Sequence, residues 1–359
     1  MKIDERVSAY FNGRIKQVFV YLTSRCQLRC RQCLYKPLLT SNYDDLSYKV
    51  LIELLSIFKN YGAFKLSFLG GEPTLYHDMN AGKRFPDIIA EGKKLGYTLV
   101  RADTNGQFDQ ALLLNDNFKK LDELTFSLDG STAEIHDAIR GKDGVFSKCV
   151  IRIRQAVQLG YRVQITMCVH KGICNDVKTG IYHIENMIHF CDSLGVHSLN
   201  FHPILKAGVA RDNWIDNTEI EPQIWVQVYQ EMLDRLNNKN YRVEVRLPMR
   251  YIESKLFTEE HDYCPLKMGE RVLIMPDGQL KICAFNIGTP VCFARFNNNN
   301  IEYESIYNEY EKIKKCNVTC CNQVPPDGFQ ALCMSYKPNQ NEAVWHALGR
   351  RGSHEIILY

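Results

Sequence analysis

Residues 17–33 read QVFVYLTSRCQLRCRQC, an apolar run followed at once by three closely spaced cysteines. The run Gln17–Thr23 predicts a β-strand, because aliphatic, β-branched and aromatic side chains fit a pleated, buried surface. Cys26, Cys30 and Cys33 fall within eight residues in the loop that follows. A [4Fe–4S] cluster normally takes four cysteine ligands, so three would leave one iron open to a small ligand. The stretch therefore predicts a strand that leads into a metal-binding loop.

A structural zinc site is the alternative for these three thiols. Such zinc sites usually have four protein ligands, which two short motifs such as CxxC supply. No fourth cysteine or histidine lies beside the three, and His77 is distant in sequence. The spacing thus favours iron–sulfur chemistry, with zinc kept as the alternative.

Around this stretch, residues 17–202 alternate short apolar runs with longer helical segments. Repeated β-then-α units predict a parallel sheet with right-handed crossovers, and six units leave open a barrel that eight would close. The predicted fold class is α/β, a partial (β/α)6 TIM-like barrel with a small C-terminal cysteine-rich domain. The strands are expected at Gln17–Thr23, Phe64–Leu69, Tyr97–Ala102, Glu123–Ser127, Arg162–Val169 and Ser198–His202, and the main helices at Ser47–Tyr61, Phe85–Leu95, Ser147–Leu159, Gly180–Leu194 and Glu221–Leu236.

Composition limits the class of protein. The chain has 359 residues, of which 45% are hydrophobic and 24% are charged, as in globular proteins. Its net charge of +3 gives no reason to expect nucleic acid or a membrane surface as a partner. No apolar run reaches the roughly 18 residues of a spanning helix, and the N-terminus has no signal-peptide pattern. We therefore expect a cytoplasmic protein, in which the 14 cysteines serve metal or redox chemistry rather than disulfides.

Changes in amino-acid composition and hydrophobic pattern along the chain predict five regions. Residues 1–16 form an N-terminal extension, 17–210 the barrel core and 211–260 a bridging region. Residues 261–334 are rich in cysteines and turns. They are expected to need a bound metal for stability, because their apolar core is small. Residues 335–359 form a polar tail.

The spacing Cys26-x3-Cys30-x2-Cys33 after the first strand resembles the signature of radical S-adenosylmethionine (SAM) enzymes. The resemblance implies that the open iron chelates the amino and carboxylate groups of SAM. An electron from an external donor, such as flavodoxin or ferredoxin, would then cleave SAM to methionine and a 5′-deoxyadenosyl radical, which abstracts a substrate hydrogen atom. Gln32 departs from the family pattern, because an aromatic residue near the adenine is common at this position.

Motifs at the ends of the next predicted strands resemble the same family. They are GGEP after the second strand, TNG after the third, SLDG after the fourth, and an H-D-x-x-R-G run downstream. In the family they line the SAM site: the GGEP motif meets its amine and the arginine its carboxylate. The cofactor-binding residues implied are Gly70, Gly71, Glu72, Pro73, Thr104, Asn105, Ser127, Asp129 and Arg140.

Each of these motifs also has a purely structural interpretation. GGEP and TNG could be ordinary strand-ending turns, because glycine permits tight backbone geometry. Asp129 could equally cap a helix, since aspartate is a preferred N-cap residue. Arg140 could form an unrelated surface salt bridge, and short motifs alone have low specificity.

The second cysteine region begins at Cys264, and the Asp277-Gly278 turn after it predicts a hairpin that returns to Cys283. This spacing resembles the opening of SPASM and twitch domains, which carry auxiliary Fe–S clusters. A zinc site on the same thiols is the alternative. The resemblance implies one auxiliary [4Fe–4S] cluster on Cys264, Cys283, Cys316 and Cys320, while Cys292, Cys321 and Cys333 could ligate a second cluster or donate hydrogen atoms to a substrate radical.

Three functions follow as hypotheses. The first is modification of a ribosomally synthesised peptide by crosslinking, epimerisation or oxidation, which the H-D-x-x-R-G run and the SPASM-like spacing suggest. With about sixteen residues before the first strand, the peptide is expected to be recognised either by a separate peptide-recognition protein or by the barrel itself. The second is a twitch-type dehydrogenase of a small alcohol such as a sugar or aminoglycoside. The third, from another class, is a zinc-bound, cysteine-rich interaction protein.

Overall fold

The structure of the chain is a computed structural model. It describes residues 2–11, 13–35, 39, 45–204, 220, 222–247, 251–253, 269–282, 287, 290–304 and 329–331. The predicted auxiliary-cluster ligands Cys264, Cys283, Cys316 and Cys320, together with Cys321 and Cys333, lie outside the described residues.

The described strands form one large sheet and two short ribbons. The helices are α1 (Glu5–Phe11), α2 (Tyr48–Asn60), α3 (Phe85–Lys94), α4 (Ala111–Leu114), α5 (Ala133–Arg140), α6 (Val145–Gln158), α7 (Val177–Leu194) and α8 (Pro222–Asn238), and two 3-10 turns cover Pro73–Leu75 and Phe118–Lys120. The strands are β1 (Lys2–Ile3), β2 (Gln17–Tyr21), β3 (Lys65–Leu69), β4 (His77–Asp78), β5 (Lys83–Arg84), β6 (Leu99–Thr104), β7 (Glu123–Ser127), β8 (Val163–Val169), β9 (Ser198–Pro203), β10 (Glu244–Arg246), β11 (Tyr251–Glu253), β12 (Arg271–Ile274), β13 (Gln279–Lys281), β14 (Ala294–Asn297), β15 (Asn300–Tyr303) and β16 (Phe329–Ala331).

The large sheet has the order β1-β15-β14-β13-β12-β2-β3-β6-β7-β8-β9-β10. From β12 to β10 every neighbouring pair is parallel. The fold is therefore α/β with a mostly parallel sheet, as a partial TIM-like barrel requires. All six predicted core strands are present, with ends that differ from the predicted ones by up to two residues.

The helices form where the sequence periodicity places them. Ser47 is the N-cap of helix α2, and its side chain accepts a hydrogen bond from the Val50 amide at 3.4 Å. Its buried face is Leu51, Leu54, Leu55 and Phe58, the set that the i, i+3, i+4, i+7 spacing predicts. These side chains belong to the main apolar core together with buried residues of the parallel strands, such as Leu66 and Val100.

The hairpin at Asp277-Gly278 is confirmed, but its place in the fold was not foreseen. Strand β13 pairs antiparallel with β12, and Gly278 takes a φ of +80° in the turn. Strand β12 pairs in parallel with β2, so this hairpin continues the core sheet beside the first strand. Sequence reasoning also missed β1, which pairs with β15.

No helix in the described ranges has both the length and the apolar character needed to cross a membrane.

Candidate functional site

The predicted motifs lie in loops that follow four adjacent parallel strands. The cysteine loop follows β2, the GGEP loop follows β3, the TNG turn follows β6, and the SLDG loop follows β7. Loops after the carboxyl ends of parallel strands converge on one face of a β/α barrel, where active sites are built. The fold thus gathers on one face the motifs that the sequence scatters over more than a hundred residues.

The loop after β2 carries Cys26, Cys30 and Cys33 as free, partly exposed thiols. The Leu28 amide lies 3.5 Å and the Asn105 Nδ2 3.7 Å from the Cys26 Sγ, and both can donate to it. Arg140 Nη1 lies 3.8 Å from the Cys30 Sγ. Donors that surround sulfur stabilise a thiolate and tune an iron–sulfur cluster.

Burial raises the pKa of Cys26 to about 11 and that of Cys33 to about 12. These thiols therefore favour the protonated form until a metal displaces the proton, as metal ligation by cysteine requires. Within the described part of the chain, no three His, Cys, Asp or Glu side chains take the arrangement of a preformed metal site. Three thiols on one loop, with N–H donors beside two of them, are the type of ligand that three corners of a [4Fe–4S] cluster take.

Two glycines let the GGEP loop lie on the backbone of the cysteine loop. A Cβ on Gly71 would lie 2.3 Å from the Arg25 carbonyl oxygen, and one on Gly70 would lie 2.8 Å from that of Thr23. The Gly71 amide donates to the Thr23 carbonyl at 2.7 Å, and the Glu72 amide donates to that of Arg25 at 2.8 Å. The glycines are thus required by a close approach of two backbones.

The side chain of Glu72 is buried, and both of its carboxylate oxygens accept hydrogen bonds from the surrounding loops. Its Oε1 accepts hydrogen bonds from the Thr74 and Thr104 hydroxyls, each at 2.8 Å, and its Oε2 accepts from the Asn105 amide at 2.8 Å. Burial raises the pKa of Glu72, and these hydrogen bonds oppose that shift. The carboxylate therefore joins the GGEP loop to the TNG turn, whereas its predicted contact with the SAM amine stays a prediction.

The remaining predicted residues near this centre are buried or partly buried. Pro73 begins the 3-10 turn after Glu72, and Thr104 and Asn105 are 2% and 8% exposed. Ser127 ends β7 and is partly buried, with the Cys149 thiol 3.9 Å from its carbonyl oxygen. All four thus lie at or just after the carboxyl ends of β3, β6 and β7, on the face that carries the cysteine loop.

Asp129 and Arg140 form a buried ion pair, which excludes both plainer interpretations of these residues. Arg140 Nε lies 2.7 Å from Asp129 Oδ2, in an ion pair whose angle is poor for a hydrogen bond. Helix α5 begins after Thr132, so Asp129 is not its N-cap. Arg140 is only 8% exposed, so its ion pair does not belong to the surface.

Sequence reasoning missed two further contacts of Asp129. The Gln32 Nε2 donates to Asp129 Oδ2 at 2.8 Å, and the Cys168 amide donates to Oδ1 at 2.8 Å. Gln32 and Asp129 are 97 positions apart. The unusual polar residue before the third cysteine was the available signal, but its partner could not be read from sequence.

The H-D-x-x-R-G run bonds to the protein itself. His136 Nδ1 accepts from the Asp129 amide at 3.0 Å, and burial lowers the pKa of His136 to about 4, so its ring is neutral. Asp137 accepts from the Gly144 and Phe146 amides at 2.7 and 2.8 Å and so caps α6. With Arg140 paired to Asp129, the run stabilises the loops around the site and carries no information about a substrate.

Cys292 is the one predicted hydrogen-atom donor within the described residues. It is 2% exposed and precedes β14, with Arg295 Nη2 3.7 Å from its Sγ. Burial raises its pKa to about 12, so the thiol is uncharged. Its role as a donor stays a prediction.

Comparison with known proteins identifies the domain around this site. Residues 20–177 match the sequence model of the Radical SAM superfamily. A GTP 3′,8-cyclase of Staphylococcus haemolyticus is 26% identical over 174 residues, which cover 45% of this chain and 48% of that protein. The chain thus aligns with about half the length of that relative. A probable GTP 3′,8-cyclase of Saccharolobus islandicus is 25% identical over 280 residues, 77% of this chain and 84% of that protein.

Solved structures show the same fold. Streptococcus suis SuiB bound to its precursor peptide SuiA superposes with a TM-score of 0.63 at 15% identity, over 85% of this chain and 67% of that one. Native anSMEcpe with bound AdoMet superposes with a TM-score of 0.54 at 19% identity, over 76% of this chain and 74% of that one. At such identities the likeness shows the fold alone.

The hypothesis of ribosomal peptide modification is contradicted. The curated relatives are named GTP 3′,8-cyclases, and the alignment with the Saccharolobus islandicus protein covers 280 residues, more than residues 20–177 alone. The physical reason for the error is the run that suggested it, since His136, Asp137 and Arg140 all bind protein groups.

Proposed function

We propose that this chain, whose residues 20–177 are a radical SAM domain, cleaves SAM reductively and abstracts a hydrogen atom from an organic substrate. The observation that carries the proposal is the three-thiol loop after β2, with N–H donors beside Cys26 and Cys30. The superfamily implies a [4Fe–4S] cluster and SAM, which supply one-electron cleavage when bound. The protein contributes binding, orientation and charge around them.

The residues present fit that task. Cys26, Cys30 and Cys33 would hold three irons and leave the fourth for SAM. Asn105 and Arg140 donate toward the sulfurs and lower the cost of their negative charge. The Gly70-Gly71 backbone contact and the Glu72 carboxylate keep the loops after β2, β3 and β6 together.

GTP is the first substrate to test. Relatives named GTP 3′,8-cyclase align over 280 residues, a range longer than the radical SAM domain alone. Shared length beyond the SAM-binding part supports a shared substrate class, because the barrel motifs themselves do not encode the substrate. We propose a purine nucleoside triphosphate as the substrate class on this ground.

An auxiliary cluster and an external electron donor complete the proposal. Cys264, Cys283, Cys316 and Cys320 are the proposed ligands of an auxiliary [4Fe–4S] cluster, with zinc as the competing metal. Flavodoxin or ferredoxin is the proposed class of donor. Iron content separates the options, since about four irons per chain indicate one cluster and about eight indicate two.

The test is an anaerobic iron and sulfide count combined with an assay for 5′-deoxyadenosine, with and without GTP. We expect iron and sulfide in equal amounts, and 5′-deoxyadenosine when SAM and dithionite are added. GTP should increase its formation and be consumed, with Cys30→Ala as the inactive control. Zinc without iron, or no SAM cleavage under strong reductant, would refute the radical chemistry. SAM cleavage that leaves GTP untouched would refute only the substrate.

A further inference from the structure

We propose that Asp129 is a positioning residue that aims the Arg140 guanidinium at the Cys30 sulfur and fastens the cysteine loop to the barrel through Gln32. Gln32, Asp129 and Arg140 together are called the Asp129 clamp. The inference rests on the proposed function, because it assumes that the cysteine loop binds the cluster.

Asp129 joins three separate elements. It is 0% exposed and follows β7. Its Oδ1 accepts from the Cys168 amide on β8, and its Oδ2 receives Gln32 from the cysteine loop and Arg140 from the end of α5. Such a carboxylate fixes the relative positions of all three, because each contact is between 2.7 and 2.8 Å.

The Arg140 end of the clamp is the part that reaches the thiols. The guanidinium is planar, so holding Nε against Asp129 also fixes the direction of Nη1. Nη1 lies 3.8 Å from the Cys30 Sγ. With its side chain only 10% exposed, Arg140 depends on Asp129 for a counter-charge. Asp129 therefore acts on the cysteine loop through Arg140.

The Gln32 end restrains the loop from inside the cysteine motif. Gln32 lies between Cys30 and Cys33, and its amide is held 2.8 Å from Asp129. The same loop packs on the end of α5, where a Cβ on Gly141 would lie 2.8 Å from the Arg29 carbonyl oxygen. The clamp thus restrains the backbone of the cysteine loop between Cys30 and Cys33, as supporting contacts do around metal ligands.

The decisive experiment measures iron loss from the reconstituted protein to an excess chelator, followed by the visible absorbance of the cluster. We expect Asp129→Asn to lose iron about tenfold faster than the wild type, a typical effect of changing an outer-shell partner. Gln32→Leu should lose iron faster by a smaller factor. Glu134→Gln, which removes a carboxylate from the exposed face of α5, is the matched control and should match the wild type.

A double-mutant cycle separates positioning from general structural support. Because Asp129 also holds Gln32, the cycle is made in the Gln32→Leu background, where adding Asp129→Asn to Arg140→Gln should cause no further iron loss and no further loss of SAM binding. Independent, additive losses would overturn the inference, as would wild-type iron retention in Asp129→Asn and Gln32→Leu. If Asp129→Asn fails to fold, Gln32→Leu alone decides by the same measure. A wild type that holds no iron refutes the proposed function instead.

Discussion

Two buried carboxylates flank the cysteine loop, and they are held in different ways. Glu72 is 1% exposed and accepts only from neutral donors, namely the Thr74 and Thr104 hydroxyls and backbone amides. Asp129 is 0% exposed and pairs with the Arg140 cation. The first carboxylate joins loops to one another, while the second also brings a positive charge beside the Cys30 thiol. The site therefore separates the mechanical support of its loops from the electrostatic support of its proposed metal ligands.

The comparison has functional meaning only if the loop between the two carboxylates binds the cluster, and Cys30→Ala tests this with the largest expected effect. Loss of one of three thiols should abolish SAM cleavage, because no neighbouring cysteine in the loop replaces it. The measurement is 5′-deoxyadenosine formed per chain after anaerobic reconstitution. Cys191→Ala, a buried thiol on α7, is the control and should retain cleavage. Normal cleavage by Cys30→Ala would place the chemistry elsewhere.

Removing each carboxylate charge separates the two kinds of support. Asp129→Asn should lower the free energy of unfolding of the metal-free protein by about 3–5 kcal/mol, because it leaves Arg140 buried without a counter-charge. Glu72→Gln leaves neutral donors and keeps one acceptor oxygen, so its cost should be about 1–3 kcal/mol. Urea unfolding of both variants gives the two values. Equal costs would mean that the Arg140 pair has no special electrostatic weight.

The backbone contact under Glu72 gives a third and smaller effect. In Gly71→Ala the new methyl group would lie 2.3 Å from the Arg25 carbonyl oxygen, so the two loops must separate. Such overpacking costs about 1–3 kcal/mol, and we expect SAM cleavage to fall with it. Gly82→Ala is the control, since it has a φ of +63° but no atom within 4 Å. It should cost the roughly 1–2 kcal/mol of left-handed backbone and leave cleavage unchanged.

Much of this site could be predicted from sequence, because its elements are local. Alternating apolar runs predict β2, β3 and β6 to β9, and the glycine-containing turns mark the loops that follow them. The contacts of Asp129 could not be predicted, since they join Gln32 from 97 positions away and Cys168 from 39. The pairing of β12 with β2 could not be predicted for the same reason. The hydrophobic pattern of a strand does not indicate which other strand it pairs with.

The substrate prediction failed because one motif had two physical uses. Arg140 and its neighbours were interpreted as marks of a peptide-modifying branch, yet they hold the barrel loops in place. A motif that serves the architecture of a site recurs wherever that architecture recurs, whatever the substrate. Substrate class must therefore come from residues outside the shared loops.

The pH dependence of stability gives the smallest and most specific test of the Glu72 centre. Burial raises the pKa of Glu72 in the folded protein above its ordinary value of 4.5. Between these two values the folded state binds more protons than the unfolded state, so stability falls as pH rises through that window. Below 4.5 the carboxyl is protonated in both states, and above the folded value it is ionised in both, so its contribution is constant there.

Glu72→Gln removes this titrating carboxyl group. The difference in unfolding free energy between wild type and variant therefore reports its titration separately from that of all other groups. We expect the wild type to lose stability relative to the variant as pH rises above 4.5, by about 1.4 kcal/mol for each unit by which the pKa is raised. Urea unfolding of the metal-free proteins at a series of pH values gives the curve. A difference that instead grows in favour of the wild type with rising pH would mean that the hydrogen bonds from Thr74, Thr104 and Asn105 outweigh burial. The contrast between the two carboxylates would then be one of donor type alone.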